Sequence, residues 1–120
     1  MRRFLCAVAL MFCTISGLAL SPKSAVFGMA SFYGRSHHNE KTSSGRRFNE
    51  HEFTAASPTL PFGTIVRVTY LKTGRSVQVM ITDRGPFHRR GRIIDLSERA
   101  AQVIGLKRAG VGRIKLEVIQ

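Results

Sequence analysis

"SVQVMITDRGPF", residues 76–87, decides how the chain is read. Val77, Val79 and Ile81 recur every second residue, the period of a strand with one face on a core. Asp83 continues that period by one step, so the expectation is a carboxylate on the core-facing side of the strand's last residue. The Arg84-Gly85-Pro86 corner then stops the strand. An acid at that position, at the mouth of a sheet or barrel, reads either as a turn former or as a group held for chemistry.

The same period appears elsewhere. "TIVRVTYL", residues 64–71, alternates Val66, Val68 and Tyr70 with Arg67 and Thr69, and "KTGR" supplies a hairpin turn into the opening stretch. "VFGMASFYG" reads as a first strand ending at Gly34, "RIIDL" as a short buried strand, and "RIKLEVIQ" as a last strand with Ile114, Leu116 and Val118 inward. Ser97 and Gly105 bracket "ERAAQVI" as caps of a helix whose Ala100, Ala101, Val103 and Ile104 face the core. "FNEHEF" is expected to form one helical turn, with Asn49 as cap and Glu52 completing a capping box. "RSHHNEKTSSGRR", residues 35–47, is polar and reads as a loop. Short strands, one or two short helices and frequent glycines predict a mainly β fold, a small β-barrel.

The N-terminus is of another kind. "MRRFLCAVALMFCTISGLAL" places two arginines before an apolar run that ends in small residues, the pattern of a secretory signal. Residues 1–19 are expected to be removed after Gly17-x-Ala19; the competing reading is an uncleaved membrane anchor. Both cysteines, Cys6 and Cys13, lie inside this segment, leaving the mature part without disulfide, thiolate nucleophile or Cys-based metal site. Met11 and Phe12 precede Cys13 where a lipidation site needs small residues, so no stable membrane anchor is expected. Residues 20–27 read as a lead-in and 28–120 as one domain.

With Arg2 and Arg3 removed from the 19 basic residues, 17 remain against 7 acidic ones. In the cytosol that balance points to nucleic acid. On an exported chain it points to anionic wall polymers or phospholipid surfaces, and no nucleic acid is expected. Arg89, Arg90 and Arg92 read equally as a solvated face and as a rim for such polymers. His37, His38, His51 and His88 lack the spacing of a ligand set, so neither metal nor other cofactor is predicted.

Taken together, "ASFYG", "SSGRRFN", "TAASPTLPFGTIVRVT", "GRSVQVMITDRGPF" and "GRIIDLSERAA" resemble the rare lipoprotein A family from about Gly28 to the C-terminus. These are septal lytic transglycosylases built on a six-stranded double-psi β-barrel, a fold shared with expansins. The resemblance implies an exported protein of the periplasm or cell envelope that cleaves peptidoglycan glycan strands, leaving 1,6-anhydro-muramyl ends. Because the sugar's own 6-hydroxyl attacks, one carboxyl can serve as acid and then base, and Asp83 is the residue implied. Tyr33, Arg46, Asn49, Ser57 and Arg84 are the candidate substrate-binding residues; the Arg84 fork suits either steadying the Asp83 carboxylate or meeting a peptide-stem carboxylate. Active members usually carry glutamate, aspartate and histidine where Arg46, Asn49 and Ser57 stand. That departure supports a second reading, an expansin-like glycan-binding module without catalysis.

Overall fold

The computed structural model describes residues 25–33, 39–86 and 91–120. The expected signal, Gly34, His37, His38, Phe87, His88, Arg89 and Arg90 lie outside them. Six strands form a closed barrel: β1 (Ala25–Phe32), β2 (Thr54–Ala56), β3 (Ile65–Tyr70), β4 (Ser76–Asp83), β5 (Arg92–Leu96) and β6 (Val111–Val118). Their order around it is β1-β5-β2-β4-β3-β6, and β6 closes back on β1. The β1/β5 and β2/β4 pairs are parallel, whereas β2/β5, β3/β4, β3/β6 and β1/β6 are antiparallel. Closure gives each of the six strands a partner on both sides over part of its length. The first strand starts ahead of Gly28: Ala25, Val26 and Phe27 already pair with Glu117, Leu116 and Lys115.

Alternation fills the interior as the period of two requires. Val66, Val68, Val79, Ile81, Ile94, Leu96 and Ile114 are almost completely buried. Among the described residues one helix, α1 (Glu98–Ile104), covers this core with Ala100, Ala101 and Ile104, while Val103 is only half-buried. Ser97 caps α1 by accepting from the Ala100 N–H, and Gly105 ends it in the left-handed region at φ 83°. Gly112 lets α1's trailing segment approach, because an added Cβ would stand 2.4 Å from Tyr70 and 2.6 Å from Leu106.

Three expectations change. "FNEHEF" forms a tight turn and no helix: the Asn49 carbonyl accepts from Glu52 N at 3.1 Å and Asn49 Oδ1 from His51 N at 2.9 Å. An Asx side chain satisfied two residues on favours such a turn over helix propagation. Val118 keeps its parity opposite Val66 but is exposed, because it sits on the last residue of β6 where the barrel opens.

The third concerns Asp83. Ala55 pairs with Ile81 but Ala56 pairs with Asp83, so a β-bulge at Thr82 interrupts the period. Paired residues share a face; Ala55 and Ile81 face the core, so Asp83 faces outward with Ala56. The period of two shifts by one residue at this point, as any single insertion must shift it. Asp95 pairs with both Ala56 and Ser31, so Ser31, Asp95, Ala56 and Asp83 form one outward row across four adjacent strands.

Candidate active site

A short hairpin closes over this row. The Lys41–Arg47 bridge, the bond from Phe48 N to the Glu40 carbonyl (2.7 Å) and that from Asn39 N to the Phe48 carbonyl (2.7 Å) shape residues 39–48. Its tip rests on β4: Ser44 N donates to the Thr82 carbonyl at 3.2 Å and Ser43 N to Asp83 Oδ1 at 2.9 Å. Between hairpin and barrel lies a cavity of about 230 Å³. Glu40, Lys41, Thr42 and Phe48 line it from the hairpin, and Tyr33, Asp83, Arg84 and Asp95 from the barrel.

Asp83 is held tightly. Oδ1 accepts from the backbone N–H groups of Ser43 and Arg84, each at 2.9 Å, and Oδ2 from the Tyr33 hydroxyl at 3.2 Å. Burial alone pushes its pKa up. The Ser43 and Arg84 N–H groups, the Ser43 side chain and the Tyr33 phenol together outweigh that and hold it below the usual carboxylate range. These contacts favour the ionised form of Asp83. Tyr33 is shifted the other way, raised by burial and by the Asp83 charge. Its ring meets Phe48 edge-on with centroids 4.7 Å apart.

The other acid of the row is paired. Asp95 Oδ1 accepts from the Ser31 hydroxyl and lies 3.4 Å from Arg92 Nη2, which also donates to Ser31. Arg92 is thus tied into the barrel wall and is no free rim cation.

Of the residues implied for substrate binding, Tyr33 and Arg84 reach the cavity with Asp83. The Arg84 guanidinium is turned to the loop after β2: Nη1 donates to the carbonyls of Leu60 (2.7 Å) and Ser57 (3.2 Å), over the Phe62 ring at 4.1 Å. Ser57 is 2 % exposed, and its hydroxyl accepts from Leu60 N at 3.0 Å and Thr59 N at 3.3 Å. It shapes that loop and lies outside this cavity, lining a separate depression with Pro58, Thr59 and Leu60. Asn49 is not among the residues lining this cavity, and its Oδ1 accepts from His51 N within its own turn. Arg46 lies outside the cavity, lining a shallower depression with His51, Phe53, Thr54 and Met80. Thr54 and Met80 are paired and one step from Ala55 and Ile81, so this depression continues the outward face that carries Asp83. Sequence reasoning missed Glu40, whose only signal was an acid within an otherwise basic polar loop. Among the described residues, no three His, Cys, Asp or Glu side chains are grouped to hold a metal ion.

Residues 25–116 match the lytic transglycolase family, and the chain belongs to that family. It is 53% identical over 93 residues to the probable endolytic peptidoglycan transglycosylase RlpA of Synechocystis sp., covering 78% of this chain and 29% of that protein. The corresponding protein of Aquifex aeolicus is 46% identical over 117 residues, covering 98% of this chain and 51% of the relative. The endolytic peptidoglycan transglycosylase RlpA of Neisseria meningitidis serogroup A is 46% identical over 110 residues, covering 88% and 46%. The chain thus spans about half, or less, of the length of these relatives.

Among solved structures, the Streptomyces papain inhibitor superposes with a TM-score of 0.65 at 22% identity, covering 82% of this chain and 97% of that one. A mutant Clavibacter michiganensis expansin in complex with cellohexaose gives 0.64 at 21%, covering 81% and 51%. These likenesses concern the fold, a double-psi β-barrel.

Proposed function

We propose that this chain is an exported endolytic peptidoglycan lytic transglycosylase of the cell envelope, cutting glycan strands to 1,6-anhydro-muramyl ends. The observation that carries the reading is Asp83, an outward carboxylate fixed by three donors on a cavity wall. Family membership and the names of the relatives support it. In this reaction the 6-hydroxyl of the muramyl residue attacks its own anomeric carbon and the glycosidic oxygen leaves. As the glycosidic bond breaks, the negative charge of Asp83 stabilises the oxocarbenium character at the ring and the departing oxygen takes up a proton from solvent; Asp83 then accepts the 6-hydroxyl proton as the bond from O6 to the anomeric carbon forms. Tyr33, Ser43 and Arg84 pre-set the carboxylate, so no reorganisation is needed when charge develops. Arg46 extends the site along the outward face as a glycan contact. Residues 1–19 act as the export signal in this reading, and anionic wall polymers are a second class of partner for the basic surface.

A specific observation favours a second reading, a glycan-binding module without catalysis. Arg46 and Asn49 replace the acids usual in active members, and Asp83 as a carboxylate supplies no proton to the leaving oxygen. Digestion of purified sacculi separates the two readings. Soluble anhydro-muropeptides identified by mass spectrometry support the enzyme; sacculi that bind protein yet stay intact support the module.

A further inference from the structure

We infer that Arg84 is a positioning residue for Asp83: together with Ser57, its side chain clamps the peptide group that supplies one of the carboxylate's donors. The inference rests on the transglycosylase reading for its effect on rate; its effect on Asp83 itself is measured without turnover. The carbonyl of Asp83 and the N–H of Arg84 belong to one planar peptide unit. That N–H donates to Asp83 Oδ1 at 2.9 Å, and that carbonyl accepts from Ser57 N at 3.1 Å. Whatever fixes Ser57 therefore also fixes the tilt of the unit and the direction of the N–H.

The Arg84 guanidinium does this fixing. Its Nη1 donates to the carbonyls of Ser57 at 3.2 Å and Leu60 at 2.7 Å. Ser57 is thus held on both sides, through its N–H to Asp83 and through its carbonyl to Arg84. The Ser57 hydroxyl closes the turn by accepting from Leu60 N at 3.0 Å and Thr59 N at 3.3 Å, which keeps the two carbonyls within reach of one nitrogen. The Phe62 ring lies against the guanidinium at 4.1 Å and adds a cation–π contact. An arginine presents its donors as a rigid planar fork, which suits holding two acceptors at once.

Arg84 also lines the cavity, where meeting a substrate carboxylate is the competing use of its charge. The contacts favour the clamp, because Nη1 carries two hydrogens and meets two main-chain carbonyls. What Arg84 offers Asp83 directly is its peptide N–H, one of the groups that hold that carboxyl below the usual range. Ser57 is not among the residues lining the cavity, so its influence on Asp83 runs through the loop it anchors.

The test compares wild type, Ser57→Ala and Arg84→Met, with circular dichroism to confirm folding. NMR titration of the Asp83 carboxyl carbon reads the clamp, and initial rates on soluble glycan strands read its effect on turnover. Ser57→Ala keeps every charge and alters no residue that lines the cavity. Both variants should raise the Asp83 midpoint toward the ordinary value, about 3.9, because a misaligned N–H stabilises the charge less. Both should lower kcat by about tenfold to 100-fold. KM should stay within about twofold of wild type, the pattern of lost alignment rather than of lost ground-state binding. An unmoved midpoint in Ser57→Ala overturns the assignment, since a shift in Arg84→Met alone would report only the missing charge. So does a raised KM at unchanged kcat in Arg84→Met, the pattern of a substrate contact. A Ser57→Ala that does not fold overturns it too, because the clamp would then support the fold as a whole. Wild type without turnover overturns the transglycosylase reading alone, and the two titrations still decide the clamp.

Discussion

At the scale of single residues, Asp83 is defined by its donors more than by its burial. Its folded-state pKa lies below that of an unfolded aspartate, about 3.9. The stability it contributes is therefore fully present above that value and is lost as pH falls through the lower, folded-state pKa. Tyr33→Phe removes one of the donors and should move the folded pKa back up toward the ordinary value. The acid limb of activity should rise with it. An NMR titration of the Asp83 carboxyl carbon measures the shift directly, and an unchanged midpoint would show that Tyr33 does not hold the charge. The sequence showed Asp83 as an acid at a strand end, and the family resemblance marked it, but its direction was misread. A bulge adds one residue without changing composition or alternation, so the Thr82 insertion leaves no trace in a single sequence. The cavity was hidden for a related reason: the hairpin of residues 39–48 docks across the sheet and brings Ser43 to Asp83, 40 positions away.

At the scale of elements, local signals were reliable wherever the side chain and its partner lie close in sequence. The Ser97 and Gly105 caps and the alternating cores of β3 and β6 were all visible, because each depends on neighbours a few residues away. "FNEHEF" failed where two local rules competed, and the Asx turn at Asn49 won over the capping box. Ser97 links both regions: its hydroxyl donates to the Glu52 carbonyl at 2.5 Å and accepts from Ala100 N at 3.3 Å, with no exposure to solvent. Ser97→Ala should cost about 1–2 kcal/mol, lowering the melting temperature by roughly 5–10 °C. A melting curve superimposable on wild type would mean that this cap does not support α1. Arg99 N also bonds the Glu50 carbonyl at 3.1 Å, so loosening α1 should loosen the 49–53 turn with it.

At the scale of the whole molecule, a closed barrel carries a narrow outward row of functional groups on a strongly basic chain, with a formal charge of +12. Exposed charges act over about 10 Å at 0.1 M salt, so retention of the protein on sacculi should fall as salt rises. Retention that ignores salt would make the basic surface incidental. In the proposed reaction, by contrast, turnover depends on the Asp83 carboxylate. The most direct measurement is the release of anhydro-muropeptides from purified sacculi, followed by mass spectrometry, for wild type beside Asp83→Asn. The amide oxygen of the variant can still accept from Ser43 N and Arg84 N, so the fold should survive with a loss of about 1 kcal/mol. Wild type should release anhydro ends, and the folded variant should release none. Equal release by both proteins, or a variant that no longer folds, would contradict the claim that Asp83 is held for catalysis.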